Sequence, residues 1–336
     1  MDNVTRERTR QGFVVKKMMG IVTVQVEEKS ISCTLAPHLF KPAGKETKNS
    51  ARKKNNRLAE KGCSKVDDLV VGDEVILSER EGNAGRILEV LPRRSWFSRR
   101  AAMPMPGSYP REQVLAANVN QVVPVFAVAN PPPRWNMLDR YLVSAESFGL
   151  EAVICLTKTD LVDQLDRDQR TDLENELAEY RRIGYRVVEV STFSGQGLAE
   201  LKQAMQGSLS VLLGKSGVGK TSLLNALQPG LGLKVNEVSR TTGKGRHTTT
   251  VQEMFLLEWG GAIVDTPGER EFGLWEVNSD DLALFFPEMR PYVGHCRFGM
   301  KCRHDEEPDC AIRTAAMSGE ISPRRYHSFQ RLRVDP

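Results

Sequence analysis

The most chemically explicit stretch of the chain is Gly214-Lys215-Ser216-Gly217-Val218-Gly219-Lys220-Thr221, which fits G-x-x-x-x-G-K-[ST] at every position. Its glycines let backbone N–H groups turn toward phosphates, Lys220 is placed for the β- and γ-phosphates, and Thr221 for Mg2+. The run from Ser222 to Leu227 reads as the helix whose N-terminus faces the anion. Downstream, Asp265 ends the apolar run 262–264, where a strand-end carboxylate suits a hydrated Mg2+. Gly268 of Asp265-Thr266-Pro267-Gly268 is placed to give its N–H to a γ-phosphate. Between the two motifs lies the basic, hydroxyl-rich stretch 243–250. Thr249, with Thr248 close behind, is the candidate there to ligate Mg2+ when a triphosphate is bound and release it afterwards.

A base-reading motif, Thr157-Lys158-Thr159-Asp160, follows the apolar run 152–156. Guanine presents two N–H donors side by side, and the Asp160 carboxylate can accept both. Adenine offers no such pair and would leave that carboxylate desolvated and unpaired. Lys158 would pack its stem over the base, and the segment opening at Ser191 could approach it through backbone N–H groups. Such a motif ordinarily follows the phosphate loop; here it precedes it, so the order predicts a circularly permuted GTPase. The water-orienting Gln expected just after Asp-x-x-Gly is replaced by Glu269, a carboxylate that a γ-phosphate repels. His247 is therefore the candidate for the attacking water, with Lys220 and Thr249 the other catalytic candidates.

Cys296, Cys302, His304 and Cys310 supply three thiolates and an imidazole within 15 residues, a full tetrahedral set for one structural Zn2+; His295 competes as a ligand. Cys155 reads as a small core residue, and Cys33 and Cys63 stand alone.

Composition narrows the class without naming it. Hydrophobic residues at 40% and charged residues at 27% are ordinary for a water-soluble chain, and 336 residues suffice for two or three domains. With no apolar run near ~20 residues and no apolar stretch after Met1–Glu7, the expectation is a cytoplasmic protein that avoids membranes. The net charge of +4 says little, but 41–61 holds eight cations against two anions. Arg324, Arg325, Arg331 and Arg333 add a basic C-terminus. Such segments attract phosphate backbones, or else form solvated loops and helix faces.

Those residues need elements to hold them. Alternating short runs at 20–26, 70–77 and 85–91 predict a small β-barrel over 12–102, with 41–61 as a basic insertion and 1–11 as a flexible tail. A Met/Pro/Gly-rich linker is expected over 103–114. From 115 to 285, strands alternate with amphipathic helices, as in a mainly parallel sheet covered by helices. A zinc-binding, helical domain is expected over 286–336, with Ser322-Pro323 starting its last helix.

The whole pattern resembles the ribosome small subunit-dependent GTPases, the RsgA (YjeQ) family. The likeness rests on 214–225, on Gly-Arg-His-Thr-Thr-Thr at 245–250, on Asp-Thr-Pro-Gly-Glu-Arg-Glu-Phe-Gly-Leu at 265–274, on Leu138-Asp139-Arg140-Tyr141-Leu142, and on the zinc cluster. It implies a multidomain α/β architecture: an N-terminal OB-type barrel, a permuted P-loop GTPase domain and a C-terminal zinc domain. It implies a monomer that binds the 30S ribosomal subunit and its 16S rRNA late in assembly and hydrolyses GTP under that subunit's stimulation. Carried over, the GTP site is 157–160 and 214–222. Thr157 stands where GTPases usually carry Asn. The competing readings are a P-loop ATPase and a non-hydrolysing RNA-binding scaffold.

Overall fold

The computed structural model describes residues 9–18, 21–40, 69–80, 83–101, 109, 111–233, 253–266, 272–275 and 277–334. The insertion 41–61 lies outside the described residues, as do His247, Thr248, Thr249, Gly268 and Glu269.

Five strands form the N-terminal unit: β1 (Thr9–Met18), β2 (Ile21–Val26), β3 (Lys29–Leu35), β4 (Glu74–Arg80) and β5 (Ala84–Val90). Each pairs with the next in the order β1-β2-β3-β5-β4, and β4 returns to β1, so the sheet closes. Only β3 and β5 run parallel. Alternation drives the closure: along β3, Ile31, Cys33 and Leu35 turn inward to meet Val14, Val24, Leu77 and Ile87. This is the OB-type barrel. Its first strand begins at Thr9, inside the segment read as a tail, and β3 was not among the three strands legible in the sequence.

A two-stranded ribbon follows, β6 (Trp96–Arg100) against β7 (Glu112–Ala117), so the last residues of the stretch read as a linker are strand.

The nucleotide-binding unit holds β8 (Gln121–Ala127), β9 (Glu151–Thr157), β10 (Arg186–Glu189), β11 (Leu209–Leu213), β12 (Glu253–Leu256) and β13 (Ala262–Asp265). Their order in space is β10-β9-β8-β11-β13-β12, parallel except for β12. Every residue of β8 is buried, as a central strand covered on both faces requires. The covering helices are α1 (Trp135–Ser147), α2 (Arg167–Ile183), α3 (Leu198–Met205) and α4 (Lys220–Leu227). Helix α2 shows how locally these are specified. Asp166 accepts the Gln169 N–H while the Gln169 side chain returns to the Asp166 N–H, and Gly184 ends the helix at φ 110°. Strand β12 also touches β1 through Lys16 and Glu253, whose side chains meet at 2.8 Å, so sheet and barrel are continuous.

The C-terminal unit packs α5 (Ala311–Ser318), through Ile312, and α6 (Pro323–Val334), through Phe329, in one core with Phe286 and Met289, and that core takes in Leu274. Here one expectation is corrected. Arg324 and Arg325 do not belong to a solvent-facing basic patch. Arg325 is fully buried, bound to both Glu288 oxygens at 2.6 and 3.0 Å and to Asp139 Oδ1 at 2.6 Å. Arg324 reaches Asp139 Oδ2 at 2.6 Å. No described helix is long and apolar enough to cross a membrane.

Candidate nucleotide and metal sites

Strands β8, β9 and β10 run outward to one side of the sheet centre, and β11, β13 and β12 to the other. The switch in direction lies between β8 and β11, and open α/β sheets bind ligands at that point, beyond the carboxyl ends of the strands. Residues 157–160 leave β9 there, the phosphate loop leaves β11, and Asp265 ends β13. Chain order is irrelevant to this meeting: β11 lies between β8 and β13, so residues 157–160, 214–221 and 265 share one edge.

The phosphate loop is shaped by close approach. A Cβ on Gly214 would lie 2.5 Å from the Val125 carbonyl oxygen, and Gly219 turns into α4 at φ 95°. No side chain caps α4, so the N–H groups of its first turn remain available to an anion. Lys220 is buried, with Nζ donating to the carbonyls of Gly214 (2.6 Å) and Lys215 (3.4 Å). Thr221 and Ser222 follow in the first turn, while Ser216, Gly217 and Val218 form the bend before it.

Asp265 is buried and its Oδ1 has no hydrogen-bond partner among the described residues. Burial pushes its pKa up to about 6, against the opposing pull of Lys220. An orphaned carboxylate oxygen beside the phosphate loop fits a hydrated divalent cation, which Asp265 and Thr221 would hold. Thr266 fastens this strand end by donating to the Leu212 carbonyl at 2.7 Å.

The candidate base-reading residues are tied to the phosphate loop itself. Thr157, fully buried at the end of β9, has its hydroxyl 2.5 Å from the Val218 carbonyl oxygen, the nearer acceptor for its one proton, and 3.0 Å from that of Phe126. Lys158, at φ 57°, spans from its own backbone to the Gly217 carbonyl at 2.8 Å and also reaches the Asn130 carbonyl. Burial lowers the Lys158 pKa, against the pull of Asp160. Asp160 Oδ1 accepts the buried Ser191 hydroxyl at 2.6 Å. Thr159 opens the 3-10 turn between them. The sequence did not reveal that Thr157 and Lys158 bond to loop carbonyls, since those partners lie about sixty residues away. It also missed the role of Asn130.

The second cluster lies in the C-terminal unit. The ligating atoms of Cys296, Cys302, His304 and Cys310 all fall within 4.8 Å of one another, and all four residues are buried. Cys296 Sγ stands 3.4 Å from His304 Nδ1 and 4.0 Å from Cys310 Sγ; Cys310 Sγ is 3.6 Å from His304 Nδ1. A tetrahedral zinc with Zn–S bonds near 2.3 Å places sulfurs about 3.8 Å apart, whereas a disulfide needs about 2.05 Å. The cluster therefore fits zinc, and the ion would tie the ends of this loop together. Backbone N–H groups of Ala311 and Arg313 donate to Cys296 Sγ (3.3 Å) and Cys310 Sγ (3.4 Å) and hold both sulfurs in place. His295 is exposed and takes no part.

Comparison with known proteins agrees with this geometry. The RsgA GTPase family matches residues 90–275. A protein of Pseudomonas aeruginosa described as small ribosomal subunit biogenesis GTPase RsgA is 43% identical over 264 residues, 79% of this chain and 75% of its own length. A Hahella chejuensis protein of the same description is 41% identical over 80% of this chain and 74% of its own length. Among solved structures, YjeQ from Thermotoga maritima superposes with a TM-score of 0.71 at 30% identity, covering 97% of this chain and 98% of that one. YloQ, described as a circularly permuted GTPase, gives 0.64 at 25% identity over 99% and 97%. A sheet whose guanine-side strands come before its phosphate-loop strand thus has the same construction as these relatives, and the chain belongs to the RsgA GTPase family as a circularly permuted GTP hydrolase.

Proposed function

We propose that this GTPase serves the biogenesis of the small ribosomal subunit, binding the 30S particle through its 16S rRNA late in assembly and hydrolysing GTP under that particle's stimulation. The observation that carries the reading is the convergence of Asp160, the phosphate loop and Asp265 on one sheet edge, in a chain whose relatives are described as small ribosomal subunit biogenesis GTPases. In this reading Asp160 selects guanine, with Thr157, Lys158, Thr159 and Ser191 around it. Residues 214–222 and Gly268 hold the phosphates. Thr221, Asp265 and Thr249 would hold Mg2+, which would supply positive charge beside the phosphates. His247 orients the attacking water; with Glu269 in the usual Gln position, intrinsic turnover is slow and a partner must raise it.

Two flanking units supply surfaces suited to RNA. The zinc loop presents Phe298 and Met300 to solvent between Arg297, Lys301 and Arg303, an aromatic–cationic mixture that suits bases and phosphates together. The OB-type barrel is the second. The protein acts as a cytoplasmic monomer.

Phosphate release from GTP and from ATP, each with purified 30S or 50S subunits added separately, tests the reading. The expected result is slow GTP turnover raised by 30S alone. Equal use of ATP would favour a P-loop ATPase, and GTP binding without stimulated release would favour an RNA-binding scaffold.

A further inference from the structure

We infer that Phe193 is a base-stacking residue of the guanine site, lying over the purine on the side opposite the Lys158 stem. This rests on the guanine reading of Asp160. Three anchored groups already outline where a base sits. The Asp160 carboxylate is held by the Ser191 hydroxyl at 2.6 Å. The Lys158 stem is fixed at its far end by the carbonyls of Gly217 and Asn130, which makes it a rigid apolar wall rather than a free cation. The turn after Ser191 is the third. The N–H groups of Phe193 and Ser194 both donate to Ser191 Oγ, at 3.2 and 3.1 Å, and the Gly195 N–H donates to the Ser191 carbonyl at 2.9 Å.

One donor of that turn is left over. The Gln196 N–H is taken by Ser194 Oγ at 3.4 Å, so from 192 to 196 only the Thr192 N–H has no partner among the described residues. It suits the carbonyl oxygen on the guanine edge beside the donors that Asp160 reads. The turn is then registered on the base from two directions, through Ser191 to Asp160 and through Thr192. Phe193 is the next residue. Its side chain is 90% exposed and stacks on no other ring or cation among the described residues. The core of the sheet gains nothing from it, whereas a purine face beside it would. Stacking is indifferent to which base is present. Asp160 therefore selects the base, and Phe193 sets how tightly the selected nucleotide is held.

The test is the Kd of the full-length protein for GDP, for ADP and for inorganic pyrophosphate, in wild type, Phe193→Ala and Phe193→Tyr. Phe193→Ala should weaken GDP about 10-fold, Phe193→Tyr should stay within about twofold, and pyrophosphate affinity should not change. Phe193→Trp should show an emission change on saturation with GDP and none with pyrophosphate. Unchanged GDP affinity in Phe193→Ala overturns the inference, as does a parallel loss of pyrophosphate, which would mean a general defect of the site. A wild type that binds ADP as tightly as GDP overturns the guanine reading instead. A wild type selective for GDP with an indifferent Phe193→Ala removes the stack alone.

Discussion

Asp139 and Arg325 are both fully buried and meet at 2.6 Å across the seam between α1 of the nucleotide-binding unit and α6 of the C-terminal unit. Around them, Tyr180 donates its hydroxyl to the same Asp139 oxygen at 2.6 Å, Arg324 takes the other oxygen, and the Arg325 guanidinium lies 4.6 Å from the centre of the Phe286 ring. Every polar atom of the Asp139 carboxylate is thereby satisfied, the condition under which a buried charge is tolerated.

Removing Asp139 leaves Arg325 with Glu288 as its one remaining carboxylate partner among the described residues, in a low-dielectric seam. Asp139→Ala should cost about 3–5 kcal/mol of stability, read from chemical denaturation. Arg325→Met should cost much less in the Asp139→Ala background than in wild type, because the two residues act as one unit. Additive losses would show that the pair is not coupled.

The same pair predicts an acid limit. Burial raises the Asp139 pKa, but Arg325 and Arg324 together outweigh it and the net shift is downward. A carboxylate with a depressed native pKa contributes stability that is present above its unfolded value, about 3.9, and is lost as pH falls through the native value. Stability should therefore fall off steeply below about pH 4, and Asp139→Asn should flatten that part of the profile.

The zinc cluster should behave as a folding element of the C-terminal unit. Cys310 belongs to the cluster that would hold the ion, and it also caps α5 by accepting the Arg313 N–H. Cys310→Ser should abolish stoichiometric zinc, measured by elemental analysis, and lower the melting temperature. His295→Ala should change neither, since that ring lies outside the cluster.

Thr157 ties the end of β9 to the loop 214–221. Its hydroxyl satisfies the Val218 carbonyl inside the phosphate loop, so Thr157→Val leaves a buried acceptor unpaired at a cost of about 1–3 kcal/mol. Both GDP and pyrophosphate affinity should fall, because the defect lies in the loop and not at the base. A loss confined to GDP would place the role of Thr157 at guanine.

Legibility in the sequence followed the range of the interaction. The phosphate loop, the strand before it and the Cys/His cluster are contiguous patterns, and α2 has both of its caps, Asp166 and Gly184, directly at its ends. Arg324 and Arg325 read as surface charge because their partner, Asp139, lies 185 and 186 residues away, and charge alone does not disclose a distant carboxylate. Strand β3 was hidden because Lys29–Leu35 alternates in burial while its outward positions are Ser and Thr, which also read as loop. The β6–β7 ribbon was hidden by the Met/Pro/Gly stretch between its strands.

Phe272 is a second point at which the nucleotide-binding unit touches its neighbours. Its ring stacks on Phe97 of β6 at 5.9 Å and meets Tyr141 of α1 edge-on at 5.1 Å, while Arg140 holds its carbonyl at 3.2 Å. The next carbonyl, of Gly273, accepts the Arg100 N–H at 3.0 Å, and Leu274 is buried in the C-terminal core. Within three residues the chain that leaves Asp265 is thus fastened to the ribbon, to α1 and to the C-terminal unit. If nucleotide state sets the orientation of that unit on the 30S particle, this junction is the route, and its coupling is a ratio of affinities. Phe272→Ala should cost about 3–5 kcal/mol as a core truncation, which would obscure the effect. Phe272→Leu keeps most of the volume and loses the ring–ring contacts. In that variant, co-sedimentation with 30S should show a smaller difference between a non-hydrolysable GTP analogue and GDP, while nucleotide affinity without the subunit stays within about twofold. An unaltered ratio would reduce Phe272 to packing, and equal 30S affinity in both nucleotide states of the wild type would remove the coupling altogether.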